Sequence, residues 1–393
     1  MAKGIKDQVA IVGMGCTKFG EHWDKSVADL LIDAAYECYA SANVEPKEIE
    51  AAWLGTLSSG FSGVTLAEPL KLGFIPITRV ENFCATGSEA FRNAAYAVAS
   101  GAYDMALAIG VEKLKDSGYS GLVGSRVFSD GTAPSLSAPS TFAFLAPAYF
   151  AKYGLDEKTG KEVLSRIAMK NHANGAKNPR AQFRKEVSME DCVRSPMVAY
   201  PLGVMDCSGV ADGAAAAILV RAEDAKRYTD RPLYIKGMTI AAGTGEGKFD
   251  PSYDFTTIRE NVAAAKAVYA EAGVKNAREE ISLAEVHDCF PPTELVIYED
   301  LGFAERGKAW KDVLDGAFEL SGRLPVNPDG GLKSFGHPIG ASGLRMLYEC
   351  WLQLRGEAGE RQLPNPRLGL THNLGGMPWQ CVAFLSVVGA ELG

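Results

Sequence analysis

Cys84-Ala85-Thr86-Gly87-Ser88-Glu89-Ala90-Phe91-Arg92 can be laid over His337-Pro338-Ile339-Gly340-Ala341-Ser342-Gly343-Leu344-Arg345, so that Gly87 meets Gly340 and Arg92 meets Arg345. Each stretch reads as a turn that opens a helix and carries one reactive-type side chain. The surroundings echo too. An Ala-rich helical stretch from Ser88 to Ser100 stops at Gly101, and the apolar run 105–111 (MALAIGV) then reads as a buried strand. Residues 9–12 (VAIV) read as a strand that turns at Gly13, residues 27–39 as a helix, and residues 214–220 (AAAAILV) as a strand. A second half begins near Leu233. Two identities in nine positions carry little alone. Two halves of one layout imply an α/β fold built by internal duplication.

The middle, from about Lys115 to Tyr200, departs from this alternation. It holds Gly, Ser and Pro clusters (SDGTAPSLSAPS) and then a basic helical stretch around Lys161 to Arg184. It reads as an excursion from the core. The Phe, Leu, Tyr and Ala residues between Ser117 and Tyr153 suit the wall of a large apolar pocket and suit a dimer interface equally.

With 393 residues, 47% apolar and 22% charged, the chain has ordinary globular composition and room for two or three domains. Formal charge is −8, which argues against nucleic acid or an anionic membrane as the main partner. The start, MAKGIKDQVAIVG, shows no secretion signal, and the end, AELG, no address or lipid anchor. Apolar runs such as 381–385 are far short of the roughly 20 residues that span a bilayer. A cytoplasmic protein is expected. None of the eight cysteines forms a C-x-x-C pair, so no metal is expected and most should be reduced, buried thiols.

Four segments carry chemistry. Cys84, just before a helix start, gains from the partial positive charge there, which favours thiolate, with Ser88 as a capping residue; a buried core cysteine is the ordinary alternative. His337, in the Gly-rich turn GHPIGASG, can take a thiol proton or donate to a forming negative charge; capping is its ordinary alternative. His287 and Cys289, in VHDCF, end an apolar strand-like segment and, two apart, can face one site. Gly375 and Gly376, after the strand-like LGLT and His372-Asn373, would offer backbone N–H groups to an oxyanion if they form more than a simple turn. Dinucleotide, P-loop and nucleophile-elbow spacings fail at Gly13-Met14-Gly15, at Gly243 to Lys248 and at Gly60 to Gly63.

In this order, VENFCATGSEAFRNAAYAVASG, KNHANGAKNPRAQFR, MDCSGVADGAAAAIL, VHDCF and NPDGGLKSFGHPIGASG resemble the thiolase family over essentially the whole chain, and its sterol-carrier-protein type most. The resemblance implies a thiolase fold: two duplicated βαβαβαββ halves in a layered αβαβα core with an inserted loop domain. Its boundaries would be 1–115 plus 201–232 for the first half, 116–200 for the loop domain and 233–393 for the second half. Cys84 would be the acylated nucleophile and His337 its activator. His337 and His287 would hold the thioester enolate oxygen. The family's usual C-x-G cysteine is replaced here by Asn373, so Cys289 would act as acid/base, as in the sterol-carrier type. The N–H groups of Cys84 and Gly375 would form a second oxyanion hole, and Ser208 would line the CoA pantetheine arm. Coenzyme A would be a substrate, with no permanently bound cofactor.

The resemblance further implies a CoA thioester substrate, a homodimer or dimer of dimers, and the option of a small zinc-ribbon/OB-fold partner subunit. Substrates range from acetoacetyl-CoA to bulky ones such as 2-benzoylsuccinyl-CoA, which gives benzoyl-CoA and succinyl-CoA in a degradation resembling β-oxidation. The rivals are a 3-oxoacyl-ACP synthase, which needs no cysteine base; an HMG-CoA synthase-like enzyme, whose glutamate has no counterpart here; and a non-catalytic acyl-CoA-binding scaffold.

Overall fold

The apolar runs 9–12, 105–111 and 214–220 are strands, but the first does not turn at Gly13: it stays paired with its neighbour through Gly13 to Cys16. The computed structural model describes residues 4–116, 137–248 and 250–393. β1 spans Val9–Cys16, β2 Ala51–Gly55, β3 Ile77–Val80 and β4 Met105–Glu112. β5 (Met197–Ala199) and β6 (Leu202–Gly203) form a separate pair. β7 spans Gly213–Arg221, β8 Leu233–Ala242, β9 Leu283–Glu285, β10 Leu368–Met377 and β11 Gln380–Gly389.

The halves repeat one strand order. Outward from the seam, the first runs β1, β7, β4, β2, β3 and the second β8, β11, β10, β9. Val326, bridged in parallel to Ala284 of β9, takes the place of β3. Directions match as well: antiparallel for β1–β7 and β8–β11, antiparallel for β4–β7 and β10–β11, parallel for β2–β4 and β9–β10. β1 meets β8 at Ala10–Tyr234 and Ile11–Leu233, which joins the halves.

Successive strand residues face opposite sides, and this sorts the core into layers. Along β4, Leu107, Ile109 and Val111 pack with Leu30, Leu31 and Ala34 of the outer helix Val27–Ala42. Ala106 and Ala108 face the other way, toward Phe91 and Ala94 of helix Thr86–Ala99 and Leu344 and Leu347 of helix Ser342–Leu354. Those two helices, one from each half, share the middle layer. Helix Arg259–Ala272 covers the outer face of the second half. The result is the αβαβα thiolase architecture. Burying each such Leu or Ile contributes about 1.5–3 kcal/mol.

The basic stretch expected to be helical from Lys161 to Arg184 is so only as far as Ala176, in helix Glu157–Ala176, and residues 178–184 run on without helix; its Lys161 and Lys170 pair with Asp206 (2.5 Å) and buried Glu294 (2.6 Å). Of the Ser117 to Tyr153 segment and the SDGTAPSLSAPS cluster, residues 117–136 lie outside the described residues. The rest includes helices Ala138–Phe142 and Leu145–Tyr153, packed on the second half. Among the described residues, no helix is long and apolar enough to cross a membrane.

Three further local expectations are corrected. First, the helices begin at Thr86 and Ser342, which sets Ala85-Thr86-Gly87 over Ala341-Ser342-Gly343, three residues from the overlay of Cys84 on His337. The close approach of the helix starts demands this register. A Cβ on Gly87 would stand 2.6 Å from the Gly340 carbonyl oxygen, and one on Gly343 would collide with Ser88 Oγ. Second, Ser88 is not the cap: Ala85 is the N-cap residue, and the Ser88 hydroxyl reaches Asn373. Third, Gly375 and Gly376 form no turn. They lie inside β10, opposite Val382 and Cys381 of β11.

Candidate active site

Cys84 sits on a turn between β3 and helix Thr86–Ala99. Thr86 staples that turn: its Oγ1 accepts from the Asn82 N–H (2.8 Å) and donates to the Phe83 carbonyl (2.5 Å). Phe83, at φ 51°, is in the left-handed region, a strain of about 1–3 kcal/mol that the staple sustains. His337 lies on the glycine-rich turn before helix Ser342–Leu354, where Gly336 has φ 117°. His287 and Cys289 follow β9.

The tertiary structure brings these residues together. The Cys84 thiol and one ring nitrogen each of His287 and His337 lie within 4.8 Å of one another, and the two rings meet edge to face with centroids 5.4 Å apart. Both histidines are 1% exposed, while Cys84 is half-buried. Cys289 is buried, its Sγ 3.9 Å from Thr293 Oγ1, and the Cys84 sulfur is among the groups acting on it. Gly375 packs on the nucleophile turn: a Cβ there would meet the Asn82 carbonyl and stand 3.1 Å from the Ala85 nitrogen. Ser208 is half-buried, and its N–H donates to the Cys289 carbonyl at 3.1 Å.

The electrostatics correct one expectation. Cys84 is no ready thiolate: burial, with Glu81 and Glu112 adding, pushes its thiol up to about 12 despite the helix start. Burial likewise drives His337 down to about 3, with Arg345 adding, and holds His287 well below the ordinary imidazole range. Cys289 is pushed well up by the same cause. The resting site is therefore two thiols and two neutral imidazoles, with no formal charge among them. One thiol and two imidazoles within 4.8 Å of one another are also a set of donors that could hold a metal ion. The spacing suits a substrate carbonyl between them.

Several residues that shape the site escaped the sequence reading. Glu112 ends the apolar strand β4 fully buried; its carboxylate accepts from Ser58 N (2.9 Å), Leu57 N (3.0 Å), Thr56 Oγ1 (3.0 Å) and Gly340 N (3.1 Å). It thus ties the His337 turn to the first half. Asp288, between His287 and Cys289, accepts from Leu332 N (2.6 Å), Asn171 Nδ2 (2.8 Å) and Lys333 N (3.1 Å); burial and then neighbouring Glu294 lift it to about 7. Ser342 Oγ bonds His337 Nδ1 at 2.7 Å. The signal for Glu112 and Asp288 was a charged residue inside or directly after an apolar strand, which needs partners if buried.

Comparisons with known proteins agree with this layout. Residues 9–223 match "Thiolase, N-terminal domain" and residues 242–386 match "Thiolase C-terminal domain-like". An acetyl-CoA acetyltransferase of Methanothermobacter thermautotrophicus is 40% identical over 376 residues, 94% of this chain and 96% of that protein. The benzoylsuccinyl-CoA thiolase subunit BbsB of Thauera aromatica is 32% identical, over 95% of this chain and 96% of its own. Among solved structures, the Ltp2-ChsH2(DUF35) aldolase superposes with a TM-score of 0.84 at 25% identity and 98% coverage of both chains. The chain belongs to the thiolase family, acyltransferases for which coenzyme A is a substrate.

Proposed function

We propose that Cys84 carries the acyl group of a 3-oxoacyl-CoA during thiolytic cleavage or the reverse Claisen condensation. The observation that carries this reading is the meeting of the Cys84 thiol with His287 and His337 within 4.8 Å. His337 takes the Cys84 proton as sulfur attacks the 3-keto carbon. Transferring the proton only as the bond forms avoids a buried ion pair, as the raised thiol and lowered imidazole require. The C2–C3 bond then breaks, leaving acyl-Cys84 and a thioester enolate. His287 and His337 hold the enolate oxygen, and Cys289 gives C2 its proton. A second CoA thiol passes its proton to Cys289 and takes the acyl group, and His337 returns its proton to Cys84. The N–H groups of Cys84 and Gly375 would hold the tetrahedral oxyanion. Ser208 lines the pantetheine arm.

Cys289→Ala tests the cycle: exchange of the acetyl-CoA methyl protons with solvent should stop, while mass spectrometry still finds acyl-Cys84. Retained exchange would remove Cys289 from the reaction.

The archaeal relative's name favours acetoacetyl-CoA as substrate. A second reading, 2-benzoylsuccinyl-CoA, draws on BbsB and on aromatic residues of the second half and middle region: Phe290, which follows Cys289, has Phe142 at 5.3 Å, and half-exposed Phe144 neighbours Phe255 (5.6 Å) and Trp379 (6.3 Å). A panel of short, branched and aromatic 3-oxoacyl-CoA esters separates the two. The edge strand β3, flanked by exposed Phe61 and Phe74, supports a homodimer. BbsB is named a subunit and the Ltp2 neighbour was solved with a DUF35 protein, so a small partner subunit belongs to this proposal. Assay with and without it tells an active chain from an inert scaffold. Eight free cysteines fit a reducing cytoplasm.

A further inference from the structure

The two active-site imidazoles are each held at Nδ1, but by chemically opposite neighbours. A neutral imidazole donates at one nitrogen and accepts at the other, so the Nδ1 partner decides what Nε2 offers a substrate. His337 Nδ1 lies 2.7 Å from Ser342 Oγ. The Ser342 hydroxyl also has the Pro338 carbonyl, which can only accept, at 3.0 Å, a partner for its single proton. Ser342 therefore accepts from Nδ1–H. His337 Nε2, buried and with no hydrogen-bond partner, is left as a bare acceptor. His287 Nδ1 lies 3.3 Å from the amide nitrogen of Asn373, whose oxygen accepts from the Ser88 hydroxyl at 3.3 Å. An amide nitrogen only donates, so His287 Nδ1 accepts and its proton sits on Nε2.

We infer that Asn373 is a positioning residue that fixes His287 in the Nε2–H tautomer, opposite to that of His337. The role rests on the thiolase cycle proposed above. His287 then presents a hydrogen to the enolate oxygen, while His337 presents a lone pair to the Cys84 proton. If both rings shared one tautomer, either the donor or the base would be missing. The sheet explains how a residue so distant in sequence does this. β10 runs parallel to β9 with Thr371 opposite Glu285, which carries residues 372 and 373 alongside 286 and 287. His372 Nε2 bonds Asn261 Oδ1 at 2.8 Å, and its Nδ1 accepts the His287 backbone N–H at 3.4 Å. Residue 287 is thus gripped at its main chain by His372 and at its ring by Asn373, both fully buried.

Asn373→Leu keeps the side-chain shape and removes the amide. The test is a long-range proton–nitrogen NMR correlation on histidine-15N protein without substrate, with rings assigned through His287→Gln and His337→Gln. Wild type should show His287 as Nε2–H and His337 as Nδ1–H. In Asn373→Leu the His287 pattern should become mixed, and kcat should fall about 100-fold, the loss typical of one oxyanion donor, with KM little changed. His287 found as Nδ1–H in wild type, or an unchanged His287 spectrum in Asn373→Leu, would overturn the inference. The wild-type spectrum decides even if the variant fails to fold. It is read on the resting protein, so it stands or falls separately from turnover of any 3-oxoacyl-CoA.

Discussion

Cys84 and His337 precede equivalent helices of the two halves, yet the halves hold them by different means. Around Cys84 the ties are local: Thr86 staples the turn, and Glu89 pairs with Arg92 one turn along the same helix at 2.6 Å. Arg345 stands at the same step of its helix as Glu89, counted from Ser342 and Thr86, and carries the opposite charge. It is completely buried and bound to Glu285 (2.5 Å) and Asp329 (2.7 Å), residues from distant parts of the chain. Beyond it lies a second buried pair, Glu349 with Arg361 at 2.8 Å. One duplicated plan thus produced an accessible half that presents the thiol and a sealed half that keeps its imidazoles dry and neutral.

Removing either reactive group gives the largest expected effect. Cys84→Ala should abolish the acyl adduct in intact-mass spectra. His337→Ala should keep a slow adduct and lose about 10²- to 10⁴-fold in rate, the usual contribution of a general base. Equal adduct yields in both variants would erase the assigned division of labour.

The charge contrast comes next. Arg345→Met leaves Glu285 and Asp329 without their cation and should destabilise the fold by about 3–5 kcal/mol in urea unfolding. Arg92→Met breaks a half-buried local pair and should cost about 1 kcal/mol or less. Similar losses would show that burial does not distinguish the halves.

A smaller effect tests their seam. Gly87→Ala puts a methyl 2.6 Å from the Gly340 carbonyl and must push back the His337 turn; about 1–3 kcal/mol of overpacking is expected, with a rate loss larger than that of Ala substitution at open Gly73. The mildest test is chemical. With its thiol pushed up to about 12, Cys84 should alkylate with iodoacetamide at a rate still rising past pH 9, and ahead of the more buried Cys289. A plateau near pH 7 would reveal a resting thiolate–imidazolium pair instead.

Much of this site was legible in the chain. Reactive residue types in short Gly- and Pro-marked segments mark Cys84, His287, Cys289 and His337, because a turn before a helix or after a strand needs only neighbouring residues to form. The duplication followed from the echo of the halves, although the overlay missed the true register by three residues. That register is set by Gly87 and Gly343 meeting across the middle layer, a contact between residues far apart in sequence. The same blindness left a simple turn open as the alternative for Gly375, since a β-strand is completed by its partner β11.

By itself the sequence determined the α/β class, the duplication, the family and the residues that could react. Only the tertiary structure decided their state. A helix start argued for a low thiol pKa, yet burial, with Glu81 and Glu112 adding, raises it. Two histidines look alike in sequence, yet Ser342 and Asn373 hand them opposite tautomers. Burial and hydrogen-bond partners are properties of neighbours in space, and most neighbours at this site are brought in by the packing of one half against the other.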